Sequence, residues 1–246
     1  MISTKRFKFS LVPTLMTVPA VIIMIGLGVW QLDRLAQKTE LMDRIAARTS
    51  QEPVDFERLS GDPQQDEYAR VRLRGSFVHD KELYLAARSR NNNVGLQVVT
   101  PFVLTNGMAV LVNRGWVPSE RKDPTTRPEG QIEGDTTVVA LVRLDQKQGI
   151  MQPDNDPAKN VWFYVDVPAM RNASGIATEV DYWFEADATP NPGGFPIGGQ
   201  TRVNVPNDHL QYAVTWFIFA ITLAVIFLIF SYRRRSGAEG DGEARA

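Results

Sequence analysis

Side chains suited to catalysis or metal binding are few in this chain of 246 residues. It contains two histidines, His79 and His209, and no cysteine. The lack of cysteine excludes disulfides, thiolate metal sites and thiol nucleophiles. Two histidines are too few for a histidine-rich zinc or copper site, and no nucleophile-elbow or phosphate-binding motif occurs. We therefore expect no enzymatic activity.

His209 begins an uncharged run of residues that ends at Tyr232. Asn207 or Asp208 is suited to cap the helix that this run predicts. His209 would then lie in the first helical turn, at the surface of a membrane. The residues that follow it on the same helical face are Tyr212, Ala213, Trp216 and Ala220.

Two interpretations of this stripe stay open. In the first, the His209 imidazole is an axial ligand to haem iron, Tyr212 and Trp216 contact the macrocycle, and Arg202 pairs with a propionate. In the second, His209 packs at the interface, and Tyr212 and Trp216 belong to the aromatic belt of a membrane helix. The other histidine, His79, follows a predicted strand, and we expect a solvated turn there.

Two uncharged runs of 24 residues, Phe9 to Leu32 and His209 to Tyr232, are long enough to span a bilayer. We predict transmembrane helices at 11–32 and 210–232. The first run is longer than the apolar part of a signal peptide, so we expect it to remain uncleaved. Basic residues at 5, 6 and 8 and at 233–235 place both termini in the cytoplasm.

The ends of the chain support two further predictions. About ten residues precede the first predicted span, 11–32, fewer than a mitochondrial leader needs, which favours a bacterial inner membrane. The segment 233–246 contains Arg, Gly, Ala, Glu, Asp and one Ser, and we expect a disordered cytoplasmic tail.

Residues 33–209 should form a periplasmic domain that is mainly β. Their 20 basic and 25 acidic residues give a net charge of −5, which argues against a nucleic-acid partner. Asn106-Gly107 lies between two apolar runs and predicts a hairpin, and Pro168 to Asn172 predicts a short helix. We expect an antiparallel sheet or a partly closed barrel. The predicted strands are 68–77, 82–87, 98–104, 108–116, 136–144, 161–167 and 180–184.

Asn113 to Pro118 ends the strongest predicted strand. Gly115 indicates a bulge or a close backbone approach. Arg114 and Trp116 flank this glycine and should share one face. They form either a structural cation–π pair or an edge on which a partner docks.

Five segments of the chain resemble the surfeit locus protein 1 family of cytochrome c oxidase assembly factors. Each is modest alone, but their order between two predicted spans is specific, and the resemblance covers about residues 11 to 232. The segments are Gly28 to Arg34, Tyr68 to Phe77, Asn113 to Pro118, Trp162 to Asp166 and Asn207 to Phe217.

This resemblance implies a chaperone-like membrane protein of respiratory-chain biogenesis. It implies that haem a is bound or handed over while subunit I of a haem–copper oxidase matures. The family's haem ligand falls on His209, with Tyr212 and Trp216 as neighbours. The implied partners are subunit I and haem a synthase. A cofactor-free scaffold that holds oxidase subunits together is the alternative.

Overall fold

The computed structural model describes residues 11–176, 180–201 and 207–243, with the backbone alone from residue 233 onward. The described chain divides into a helix unit, residues 11–43 and 207–243, and a sheet unit, residues 44–176 and 180–201. In chain order the elements are α1 (Leu11–Thr49), β1 (Val54–Asp55), α2 (Pro63–Asp66), β2 (Arg70–Phe77), β3 (Leu83–Arg90), β4 (Asn93–Leu104), β5 (Ala109–Pro118), β6 (Thr136–Leu144), α3 (Val167–Ser174), β7 (Tyr182–Ala186) and α4 (His209–Glu243).

The two long helices α1 and α4 are apolar enough to cross a membrane. Most of their large apolar side chains are exposed, as expected where lipid is the solvent. Both helices continue beyond the predicted spans. An existing helix extends at little cost, and the charged half of α1 carries apolar residues at helical spacing that end in the buried Ile45. The sheet unit therefore begins at Arg44 rather than at residue 33.

The predicted disordered tail is helical as far as Glu243. Residues 233–243 continue a helix that is already formed, so they need no nucleation step.

The sheet has seven strands, and five of them form a ring of pairings. Starting from β2, the neighbours are β6, β7, β5 and β4, and β4 pairs with β2 again. The pairs β1–β2 and β5–β7 are parallel, and the others are antiparallel. The predicted β-rich fold is confirmed, with two parallel pairs that alternation of residue types does not indicate.

Two apolar clusters lie on opposite faces of the ring strands. One contains alternate residues of all five strands, such as Val71, Val112 and Phe184. The other packs Leu85, Val99, Leu111 and Trp183 against α3 and the segment before it. Strand β5 is consequently buried on both faces, which explains its near-continuous apolar sequence.

Two local predictions in the sheet unit, a hairpin and a short helix, are confirmed. The Asn106-Gly107 hairpin joins β4 to β5, with a bond of 2.8 Å from the Gly107 amide to the Leu104 carbonyl. Helix α3 is confirmed, with Asp166 as N-cap and Gly175 as left-handed C-cap.

The predicted strand at 161–167 is wrong. It joins β3 at one bridge, where the Trp162 amide donates to the Tyr84 carbonyl at 3.0 Å. Beyond it, side chains accept the amide hydrogens: Asn155 from Phe163 at 2.8 Å and Gln146 from Val165 at 3.2 Å. Apolar residues fill this segment because it covers one face of the core.

Candidate functional site

The candidate site of the helix unit is built around His209, the first residue of α4. The Asp208 carbonyl accepts a hydrogen bond from the Tyr212 amide at 3.2 Å, so Asp208 takes the N-cap position. The side-chain oxygen of Asn207 is buried and has no hydrogen-bond partner. The backbone therefore fixes His209 in the first turn, as the sequence predicted.

A polar contact between the two long helices holds the His209 ring. Its Nδ1 lies 2.7 Å from Oε1 of Gln31, a residue of α1 that is 178 positions away in sequence. A carboxamide oxygen can only accept a hydrogen bond, so Nδ1 carries the proton. In a neutral imidazole the second nitrogen, Nε2, then keeps its lone pair.

Close packing accompanies this contact. Gly28 precedes Gln31 by three residues, and Phe217 follows His209 by eight, so each pair shares a helical face. The Phe217 ring lies so near the Gly28 backbone that a Cβ there would be 2.7 Å from it. Ala213, which lies between His209 and Phe217 on α4, is buried. We call Gly28, Gln31, His209, Ala213 and Phe217 the helix seam.

The predicted stripe of α4 is divided in the structure. Ala213 and Ala220 are buried, while Tyr212 is 56 % exposed. Trp216 is half-buried and meets Phe219 edge-on, with ring centroids 6.3 Å apart. The predicted roles of Tyr212 and Trp216 as neighbours of a ligand stay predictions. Arg202, the predicted propionate partner, lies outside the described residues.

The donor set suits one kind of metal centre. No group of three His, Asp or Glu side chains that could hold a metal ion occurs in residues 11–176, 180–201 and 207–232. A single imidazole with a free lone pair cannot enclose a bare ion, but it can be an axial ligand to haem iron, because the macrocycle supplies the in-plane nitrogens. The His209 side chain fits such a group.

A second cluster of polar side chains lies inside the sheet unit. The carboxylate of Glu82, just before β3, accepts a two-pronged ion pair from Arg127, with Nη1 at 3.2 Å from Oε1 and a shorter bond to Oε2. Nη1 of Arg114 lies 3.6 Å from the same carboxylate. The three side chains, which we call the carboxylate cluster, are each at most 2 % exposed.

The carboxylate cluster fixes the long loop between β5 and β6. Arg114 donates to the Gly130 carbonyl, and its guanidinium lies over the Phe77 ring at 4.5 Å. Arg127 donates to the Arg121 carbonyl at 3.0 Å. A loop that contains three short 3-10 turns is held here by charged hydrogen bonds, which are stronger than neutral ones.

Burial and charge act against each other in the carboxylate cluster. Burial alone would raise the pKa of Glu82, but the neighbouring His79, Arg127 and Arg114 lower it below its ordinary value. Burial lowers the pKa of the Arg114 guanidinium to about 10. One carboxylate thus lies between two guanidinium groups, and the cluster is a salt bridge with one excess positive charge.

His79 is tied to the carboxylate cluster and is not a solvated turn residue. Its Nε2 lies 2.9 Å from the Ile132 carbonyl, so Nε2 donates. Its Nδ1 accepts from Arg114 at 3.3 Å. Both ring nitrogens are thus used within the protein, in contrast to those of His209.

The predicted docking edge is buried. Arg114 is 1 % and Trp116 5 % exposed, and they line different cavities, of about 290 and 380 Å³. Both features predicted from Gly115, a bulge and a close backbone approach, are present. Arg114 is the extra residue of a bulge opposite Val98 and Val99. A Cβ on Gly115 would lie 1.9 Å from the Ile197 carbonyl oxygen. The cation–π partner of Arg114 is Phe77 and not Trp116. Partner docking through this edge stays a prediction.

Sequence reasoning missed three residues that the structure brings to these sites. Gln31 is an uncharged polar residue at the end of an apolar run, and its position three residues after Gly28 was the available signal. Glu82 and Arg127 lie in segments rich in exposed charge, and no local pattern distinguishes them.

Comparisons with known proteins give a consistent result. A family model described as the SURF1 family matches residues 18–221. A SURF1-like protein of Monosiga brevicollis is 40 % identical over 93 % of this chain and 89 % of its own length. Surfeit locus protein 1 of Homo sapiens is 40 % identical over 78 % of this chain and 68 % of its own length. The SURF1-like protein of Caenorhabditis elegans is 36 % identical over 92 % of this chain and 76 % of its own length. On this evidence the chain belongs to the SURF1 family.

Proposed function

We propose that this protein is an assembly factor for haem–copper cytochrome c oxidase that holds or hands over haem a while subunit I matures. Membership of the SURF1 family supports the assembly role. The observation that carries the haem part is the free Nε2 lone pair of His209, which follows from the bond between Nδ1 and Gln31. Haem iron, when bound, would supply the redox-active centre that is transferred.

We assign binding roles to individual residues of the helix unit and its surroundings. His209 would hold the iron through Nε2, and the exposed apolar and aromatic surface of the helices, including Tyr212, would contact the macrocycle. Arg202 would pair with a propionate. A further ligand to the iron would come from a partner, since His79 uses both ring nitrogens within the sheet unit. We propose subunit I and haem a synthase as the partners.

The proposal places both termini in the cytoplasm and the sheet unit on the outer face of a bacterial inner membrane. The basic residues that flank both uncharged runs support this orientation. The relatives named above are eukaryotic and give no support for a bacterial source.

The test is the absorption spectrum of the detergent-purified full chain, expressed with and without the enzymes of haem a synthesis. We expect a haem a spectrum in the wild type and its loss in His209→Ala. His79→Gln is the matched control, because it removes the other histidine and should keep the spectrum. Unchanged haem content in His209→Ala would refute the assignment of the ligand.

A cofactor-free scaffold for oxidase subunits is the competing function. It predicts that subunit I co-purifies with the chain equally well in wild type and in His209→Ala, with or without haem a synthesis. Co-purification that requires both haem a and His209 would exclude it.

A further inference from the structure

Gln31 of the helix seam enters the proposed function only through its bond to His209. It is half-buried, and it contacts His209 from the opposite helix. At 2.7 Å the bond is short for a neutral donor and acceptor, which indicates a well-aligned contact. One side chain of α1 thus determines which nitrogen of His209 is protonated.

Metal-binding histidines generally donate their second ring N–H to an acceptor that fixes the tautomer and the direction of the ring. That acceptor is a carboxylate, a backbone carbonyl or water in most sites. Here it is a neutral carboxamide. A carboxylate would draw the proton further from Nδ1 and make the imidazole a stronger electron donor. The carboxamide orients the ring without that increase.

We infer that Gln31 is the positioning residue of His209: it holds the proton on Nδ1 and directs Nε2 away from α1 as the ligating nitrogen. The identity of the metal centre rests on the proposed function, whereas the tautomer does not. A neutral acceptor keeps the ligand at moderate strength, which suits a protein that binds a cofactor and then releases it.

The packing of the helix seam makes this contact possible. Phe217 lies directly against Gly28, and a larger residue there would push the helices apart. Gln31 can reach His209 only while this close approach is kept, since a hydrogen bond weakens steeply as its geometry departs from ideal. Gly28 and Gln31 therefore act together, one turn apart on α1.

The first experiment reads the tautomer directly. Nitrogen-15 spectra of histidine-labelled full chain in detergent contain signals from only two histidines, and His79→Gln assigns them. We expect a protonated Nδ1 and an unprotonated Nε2 for His209 at neutral pH. Gln31→Leu should remove this pattern, and Gln31→Glu should restore it, because glutamate also accepts from Nδ1. Gln211→Leu, at an exposed glutamine of α4, is the matched control and should leave the pattern unchanged.

The second experiment measures haem a in the same variants after co-expression with haem a synthesis. Loss of an orienting partner typically weakens metal binding about 10- to 100-fold, so Gln31→Leu should lose most of its haem. Gln31→Glu should keep haem and lower its reduction potential, because the imidazole becomes a stronger donor. A merely structural role of Gln31 would not produce that shift.

The outcomes separate the two proposals. A wild-type His209 that carries its proton on Nε2, or a Gln31→Leu variant with the wild-type nitrogen-15 pattern, overturns the role of Gln31 whatever binds. If the wild type has the expected tautomer but His209→Ala keeps its haem content, the proposed function is overturned. The role of Gln31 in positioning His209 is then unaffected. If Gln31→Leu does not fold, the wild-type tautomer and the reduction potential of the haem in Gln31→Glu still decide, since an unshifted potential overturns the role of Gln31.

Discussion

The two histidines of this protein lie in opposite kinds of polar surroundings. His79 belongs to the sheet unit, where both of its nitrogens and the neighbouring Glu82, Arg114 and Arg127 bond to one another or to backbone carbonyls. His209 belongs to the helix unit, where Nδ1 bonds to the neutral Gln31 and Nε2 has no hydrogen-bond partner among the residues that the structure describes. Buried charged groups that bond to one another fix a structure, while a lone pair with no such partner is available for chemistry. We therefore assign stability to the carboxylate cluster and ligand binding to the helix seam.

The strongest test of this contrast is Glu82→Gln. Removing one partner of a buried ion pair leaves uncompensated charge, here on Arg114 and Arg127, and costs about 3–5 kcal/mol. Urea unfolding of the full chain, followed by tryptophan fluorescence, reports it because Trp162 and Trp183 are buried in the sheet core. Asp55→Asn is the control, since its pairs with Arg72 and Arg74 are partly exposed and contribute at most about 1 kcal/mol. Equal effects of both variants would contradict a structural role for the cluster.

Gly115→Ala should come next in size. This backbone position has φ of +121°, and a Cβ would collide with the Ile197 carbonyl. The bulge that places Arg114 beside Glu82 would have to rearrange, and we expect a loss of about 3 kcal/mol. Gly107→Ala is the matched control, because it also has positive φ but nothing within 4 Å, so it should lose only about 1 kcal/mol. If both lose the same amount, backbone strain alone explains the effect.

Much of the fold follows from local sequence, but its long-range contacts do not. The Asn106-Gly107 turn and helix α3, with its Asp166 cap, depend on neighbouring residues, and both were predicted. The strand predicted at 161–167 failed because the segment joins β3 only at Trp162, and side chains accept the amide hydrogens of Phe163 and Val165. An apolar run reports burial and cannot distinguish a strand from a covering segment.

The candidate sites depend even more on long-range contacts that local sequence does not reveal. His209 was found because it is one of two histidines and begins an apolar run. Its partner Gln31 is 178 residues away, and only the antiparallel packing of two helices brings them together. Arg114 was found from its neighbour Gly115, but its burial and its pairing with Glu82 depend on a bulge and a loop that periodicity does not encode.

A pH series tests the charge state of the carboxylate cluster. The folded-state pKa of Glu82 is lowered, so the unfolded chain binds the proton more readily. Its contribution to stability is complete above the ordinary value of 4.5 and is lost as pH falls through the lower folded pKa. We expect the difference in unfolding free energy between wild type and Glu82→Gln to shrink below about pH 4.5. A constant difference down to pH 3 would show that the carboxylate is not the group responsible.

The smallest expected effect on stability gives the sharpest contrast between the units. Gly28→Ala places a methyl group against the Phe217 ring, so the helices must separate slightly or the ring must turn, and the Gln31–His209 bond lengthens. The substitution does not change the sheet core. The free energy of unfolding measured with urea should therefore change by less than about 0.5 kcal/mol. The His209 nitrogen-15 pattern should nevertheless move toward that of Gln31→Leu. Gly26→Ala is the control, because a Cβ there meets nothing within 4 Å and both measurements should stay at wild type. Should Gly28→Ala change the urea midpoint and leave His209 unaffected, the seam would be a packing surface for stability, and the division between a structural and a chemical region would be wrong.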